Sequence, residues 1–216
     1  RIVLKRGFNI LNKHKQKIVY FGSDSICLPS LDWLYTKGSE RWDLLAVVSQ
    51  PDRKQGRGQK YKANPLAKYA KERGIPLFQP EKPGENLVQF LKENSVDLSF
   101  VMAYGHFLGR AIREASRLGM VNFHGSILPK YRGASPVETA IACGETETGV
   151  SLMKIDREMD AGAVADIEVV PIEKDDDALS VRMKIGEATI PILKRSMINL
   201  LNNEIAFKKQ DEESIS

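Results

Sequence analysis

Apolar residues come along this chain as short runs and helical stripes that take turns. The run within KIVYFGS (17–23) is too short for a buried helix and ends at Gly22, so it reads as a buried strand. From Ser25 to about Lys37 the leucines 28, 31 and 34 recur at helical spacing. LLAVVSQ (44–50) is a second apolar strand, followed by a polar loop. NPLAKYAKERG (64–74) is a helix that Asn64 and Pro65 can start and Gly74 can stop. The alternation continues through PLFQ (76–79), ENLVQFLKENS (85–95) and VDLSFVMAYG (96–105). Further on, GMVNFH (119–124) reads as a strand and SPVETAIACG (135–144) as a short helix. TGVSLMKI (148–155) and VADIEVVPI (164–172) are β-rich runs. Asp177 to Leu201 reads as a closing helix that Pro191 should kink or split. Strand and helix alternating at this spacing predict an α/β fold: a Rossmann-like, mostly parallel, doubly wound sheet flanked by helices. Its ligands belong beyond the carboxyl ends of the strands.

Composition narrows the class. With 216 residues, 42% of them hydrophobic and 28% charged, the chain fits one ordinary soluble domain, expected over 17–205. Residues 1–16 form a basic extension and 206–216 look like a frayed polar tail or the start of a linker. No apolar run approaches the roughly 20 residues a membrane helix needs, so no membrane partner is expected. The basic first stretch lacks the apolar core and cleavage site of a secretory signal, and lacks the serines of a transit peptide. Cys27 and Cys143 stand alone, without CxxC or Cys/His spacing, so neither a disulfide nor a metal is expected and both read as packing residues in a reducing compartment. Charge is unevenly spread: residues 1–73 carry 16 Lys/Arg against 6 Asp/Glu, and residues 74–216 carry 16 against 22. Such segregation suits a polyanionic partner, although a solubilising basic face is the plainer reading.

Three stretches carry chemistry. In VNFHGSILPKYRGASP (121–136), Asn122, His124 and Ser126 stand at every second residue of an extended segment. Asn122 and His124 therefore point together into the crevice at the strand's end, a neutral donor beside a titratable base. The prolines and Gly133 after them mark a fixed, irregular connection. In DREMDAG (156–162), Asp156 and Asp160 offer carboxylates from a loop between two β runs; Asp160 could lie near His124 and orient its ring, although a solvated acidic turn is the plainer reading of this stretch alone. QPDRKQGRGQKYK (50–62) holds five basic residues, Arg53, Lys54, Arg57, Lys60 and Lys62, and almost nothing apolar. It cannot pack as core, and it suits a mobile loop that meets phosphates. The spacing fits neither a Walker motif nor GxGxxG.

Together these pieces resemble the folate-dependent formyltransferases, and within them the methionyl-tRNA formyltransferases. NFHGSILPKYRGASP is similar to that family's Asn-x-His-Gly-Ser signature and MDAG to its Asp loop. The 36-residue step from His124 to Asp160, VMAYGHFL (101–108) and TGVSLM (148–153) also match. Gly125 after the histidine differs from the purine-pathway relatives, which have Pro there. QPDRKQGRGQK is similar to the loop with which the tRNA enzymes hold the acceptor stem. The resemblance implies Asn122, His124 and Asp160 as catalytic triad, and formyl transfer from 10-formyltetrahydrofolate directly to the α-amine of initiator methionyl-tRNA. It places the pterin against Tyr104, Phe107, Leu108, Met120, Ser126, Ile155 and Asp156, and the tRNA on the five basic residues of 53–62. It implies a monomer without metal, in a bacterial cytoplasm or an organelle such as the mitochondrion. The tRNA enzymes carry a C-terminal β-barrel that these 216 residues do not include. Two rival readings stand beside this one: a sugar-nucleotide formyltransferase with the same donor and triad, and a folate- or RNA-binding module without turnover.

Overall fold

The structure, a computed structural model, describes residues 15–38, 41–55, 60–62, 64–211 and 213. The basic extension through residue 14 and the expected phosphate-binding Arg57 lie outside the described residues. The chain opens with β1 (Gln16–Gly22), a 3₁₀ turn and α1 (Leu28–Lys37), then β2 (Trp42–Val48). Next come β3 (Arg53–Gln55), β4 (Lys60–Lys62), α2 (Pro65–Glu72), β5 (Leu77–Phe78), α3 (Glu85–Glu93) and β6 (Leu98–Met102). The last part holds α4 (Arg110–Arg113), β7 (Met120–His124), α5 (Pro136–Ala142), β8 (Glu147–Lys154), β9 (Val164–Pro171) and α6 (Ala178–Asn202).

Seven strands make one sheet in the order β5-β2-β1-β6-β7-β8-β9. The first five are parallel, and β8 and β9 add on antiparallel. The chain winds outward from β1 through β2 and β5, returns, and winds the other way through β6 and β7. The switch point therefore lies between the carboxyl ends of β1 and β6, where this architecture opens a crevice.

Alternation along β1 decides which layer each residue joins. Ile18 and Tyr20 pack on one side of the sheet with Phe100, Val121 and Phe123, under α1, α2, α5 and α6. Val19 and Phe21 pack on the other with Val48, Val101 and Met120, under α3 and α4. Burial on both faces explains why β1 and β6 read as unbroken apolar runs. Asn122 and His124 follow Met120 at steps of two, so they belong to the side that α3 and α4 cover.

The helix termini follow local chemistry. The Asn64 side chain accepts from the N–H groups of Leu66 and Ala67, and Pro65 follows it at the first turn. Asp177 and Ser180 form a reciprocal capping box at the start of α6. Pro191 does not split this helix. Losing one backbone bond there costs about 3 kcal/mol. Ile185, Ile192, Leu193 and Met197, all at most 1% exposed, each return roughly 1.5–3 kcal/mol through burial, so packing wins. Arg195 fastens α6 to β9 through Asp166 (2.7 Å) and Glu168 (2.5 Å). At the amino end of β2, buried Trp42 donates to the Leu34 carbonyl (2.9 Å) and stacks on Trp33.

Two expectations need correction. Cys27 is buried, but Cys143 is exposed, because it caps α5 where the helix leaves the core. The chain after α6 is not a frayed tail: Lys208 pairs with Val164 at the head of β9, and Phe207 lies against the core. Among the described residues no helix is long and apolar enough to cross a membrane.

Candidate active site

His124 ends β7 and is 5% exposed. Its Nε2 lies 2.8 Å from the Tyr131 carbonyl. A carbonyl only accepts, so Nε2 carries a hydrogen and donates it. Nδ1 faces Asp160 Oδ2 at 3.4 Å, beyond the span of a strong charge-assisted bond. Nδ1 is thus the nitrogen that faces the carboxylate. Asp160 Oδ2 also accepts from the Gly133 N–H (2.9 Å). Its Oδ1, and the amide of half-buried Asn122 two residues before the histidine, have no partner among the described residues. The site therefore presents a free amide donor, a tethered imidazole and a half-free carboxylate.

Backbone strain supports this placement. Tyr131 (φ 56°) and Asp160 (φ 50°) both sit in the left-handed region, which costs a non-glycine residue roughly 1–3 kcal/mol and persists where the surroundings over-determine it. Tyr131 is fixed by its hydroxyl, which donates to Glu145 (2.6 Å), and by Lys130, which bridges to the same carboxylate (3.0 Å). Ser126 Oγ donates to the Lys130 carbonyl (2.6 Å), and Ser151 Oγ donates to the Ser126 carbonyl and accepts from Leu128 N–H. On the opposite loop, a Cβ at Gly162 would collide with the Lys154 carbonyl, so only glycine closes this turn.

The crevice rim joins three strand ends. Gln50 Nε2 (2.8 Å) and Ser23 Oγ (3.2 Å) both donate to the Tyr104 carbonyl. Tyr104 is 2% exposed, and burial pushes its phenol up to about 12, so the hydroxyl stays a neutral donor; it has no partner among the described residues. His106, set edge-on to the Tyr104 ring, likewise leaves Nε2 without one.

The residues expected to line a pterin separate into two groups. Tyr104, Leu108, Met120 and Ile155 join the α3/α4 core cluster, on the face of Asn122 and His124. The others do not meet there. Phe107 is 75% exposed. Asp156 is exposed, with its carboxylate accepting from the next N–H in the chain. Ser126 is fully buried, and its hydroxyl holds the loop it belongs to rather than facing the crevice.

The basic segment is not the loop expected. β3 and β4 pair antiparallel, Arg53 opposite Lys62 and Lys54 opposite Tyr61, so the backbone of Arg53, Lys54, Lys60 and Lys62 runs in a two-stranded ribbon. Hydrogen bonding across the ribbon gave no apolar period for the sequence to show. Its neck is clamped: Asp52 accepts from Asn64 N–H (3.0 Å) and Gln79 Nε2 (3.1 Å), with Lys71 at 3.6 Å. The Asn64 N–H, aided by Gln79 and Lys71, holds the Asp52 carboxyl below its usual range against a smaller opposing effect of burial. The Tyr131 carbonyl, the Gly133 N–H and this Asp52 clamp were not anticipated. Backbone groups carry no side-chain signal, and only the glycine at 133 hinted at the turn.

Residues 16–196 match the family described as formyl transferase. A methionyl-tRNA formyltransferase of Sorangium cellulosum is 38% identical over 199 residues, 92% of this chain and 63% of that protein. One of Synechocystis sp. is 41% identical over 186 residues, 85% of this chain and 56% of that protein. The chain thus spans less than two thirds of these relatives. Among solved structures, glycinamide ribonucleotide transformylase 1 from Symbiobacterium toebii superposes with a TM-score of 0.75 at 18% identity, over 96% of this chain and all of that one. A sugar 3N-formyl transferase gives 0.68 at 23%, over 94% and 70%. At these identities the likeness speaks for the fold alone.

Proposed function

The chain belongs to the formyl transferase family, and from that premise we propose that it moves a formyl group from 10-formyltetrahydrofolate to the α-amine of methionyl-tRNA, for translation initiation. The observation that carries the reaction class is the convergence of Asn122, His124 and Asp160 at the carboxyl end of β7. The acceptor rests on the basic ribbon at the carboxyl end of β2 and on the names of the relatives at 38% and 41% identity.

The chemistry follows from the donors present. The amine nitrogen attacks the formyl carbon, and a C–N bond forms while the carbonyl oxygen takes up negative charge. The Asn122 amide, which has no partner among the described residues, donates to that oxygen; such a donor contributes on the order of 100-fold or more in rate. Asp160 Oδ1 accepts the proton that the amine loses. The carbonyl then re-forms as the bond from the formyl carbon to donor N10 breaks, and N10 takes up the proton that Asp160 had accepted. His124, held through Nε2, keeps Nδ1 between the carboxylate and the reacting carbonyl. An acyl-enzyme is not invoked, since Ser126 is buried with its hydroxyl directed at Lys130. In this reading the pterin packs on Tyr104, Leu108, Met120 and Ile155, one copy of the chain is sufficient, and the compartment is a bacterial cytoplasm or an organelle.

The test is formyl transfer to charged initiator methionyl-tRNA by the wild type and by His124→Ala, with an amino-sugar nucleotide as competing acceptor. Transfer to the tRNA that falls at least 100-fold in the variant is expected. Formylated sugar with inert tRNA would replace the acceptor. Donor binding without transfer to either would leave a binding module.

A further inference from the structure

Gln210 joins the two catalytic loops from outside. We propose that it is a positioning residue for the His124–Asp160 pair, and that residues 203–211 act as a strap holding the site's geometry. The inference rests on the triad reading above.

The strap starts at Asn203, whose left-handed backbone (φ 59°) turns the chain back at the end of α6. Phe207 packs on the core beneath the Lys154 ammonium, 4.6 Å from its ring. Lys208 exchanges two backbone hydrogen bonds with Val164, both 2.8 Å. Gln210 is thereby delivered to the loops. Its Oε1 accepts from Arg132 Nε (3.0 Å) and Nη2 (2.8 Å), and its Nε2 donates to the carbonyls of Asp160 (2.7 Å) and Gly162 (2.8 Å). Both hydrogens of the amide and both lone pairs of its oxygen are used.

The bonds to Arg132 and to Asp160 end one step from His124. Arg132 follows Tyr131, whose carbonyl receives the Nε2 hydrogen, and Asp160 faces Nδ1. Gln210 therefore ties together the supports of both ring nitrogens. Asp160 occupies a strained conformation that its surroundings must enforce, and the bond to its own carbonyl is one such constraint. Only a primary amide of this length fits: glutamate keeps Arg132 and loses both donors, and asparagine is one methylene short.

Hydrogen–deuterium exchange and formyl-transfer kinetics on the 216-residue chain test this with Gln210→Ala and Gln210→Glu. Both variants are expected to speed exchange at least tenfold in 126–134 and 155–163, leaving β1 and β6 at wild-type rates. In both, kcat should drop about tenfold or more, as small misplacements of reacting groups do, with a shifted pH profile and KM values within about twofold, because Tyr104, Leu108 and Met120 of the binding wall lie outside the loosened loops. Wild-type exchange in both loops together with wild-type kcat and pH profile would overturn the proposal. If Gln210→Ala lowers the melting temperature as a whole, Gln210→Glu decides alone. Faster loop exchange in a chain that does not formylate methionyl-tRNA would uphold the strap and defeat the acceptor reading; unchanged exchange in a chain that does would do the reverse.

Discussion

The loops around His124 and Asp160 and the basic ribbon stand at the same end of the sheet and are held in opposite ways. Asp160 and Tyr131 are each fixed by two short bonds in strained backbone conformations, and His124 is held by its short bond to the Tyr131 carbonyl. Among the described residues the ribbon is clamped at its neck, through Asp52, Asn64 and Gln79. In the function proposed above, the difference follows from what each part would do. Charge stabilisation in a reaction gains from donors that do not have to reorganise. Attraction of a polyanion acts over about a Debye length and tolerates loose placement.

The largest expected effect breaks the first half of that contrast. Asn122→Ala should lower kcat by on the order of 100- to 1,000-fold, with the melting temperature and the KM for tRNA unchanged in steady-state and thermal assays. A rise in KM alone would mean that Asn122 binds rather than catalyses. Next comes the ribbon: Arg53→Ala combined with Lys62→Ala should raise the KM for tRNA by about tenfold at low salt and leave kcat intact. The log–log salt slope should flatten by roughly 0.7–0.9 per lost phosphate contact. Asp52→Ala sharpens the contrast further, since it unlocks the neck and removes no cation. A rise of about threefold in that KM, with an unchanged salt slope, is expected, because backbone positioning rather than charge is lost. A fall instead would show that the carboxylate's own repulsion dominates.

The smallest effect is on acid stability. Asp176 is held at about 2, first by Lys184 and then by the Glu173 N–H and Ser180. Asp166 is pushed up by burial, yet its bonds to Arg195 and Ser196 outweigh this and hold it low. Asp52 is depressed as well. The unfolded chain binds more protons than the native one between these depressed values and the ordinary carboxylate range near 4. Stability from the three is therefore complete above that range and drains away as pH falls toward 2. Asp176→Asn should flatten the dependence of melting temperature on pH in this window alone, as thermal unfolding at stepped pH would show.

Much of this was legible in the residues. The apolar runs gave β1, β2 and β6 because both faces of a parallel strand are buried. The step of two from Asn122 to His124 gave their common face, since strand periodicity is a backbone property. What stayed hidden depended on partners distant in sequence or on backbone atoms. Gln210 sits in a polar stretch indistinguishable from a tail, and its meaning arises from a loop about fifty residues earlier. Ser126 shares the alternation of Asn122 and His124, but the chain leaves the strand after His124 and turns its hydroxyl inward. The ribbon's short strands are held by backbone pairing, which leaves no mark in the pattern of apolar residues.

The stacked tryptophans at the far end of the sheet give the protein a spectroscopic convenience. They are the chain's two tryptophans, and Trp42 opens β2 at the end opposite the crevice. Their emission reports the integrity of the packed interior and stays quiet to events at the carboxyl edge. A change of colour or intensity on adding a ligand would signal a rearrangement reaching through the whole sheet, and a steady signal in an inactive variant would certify that its interior is intact.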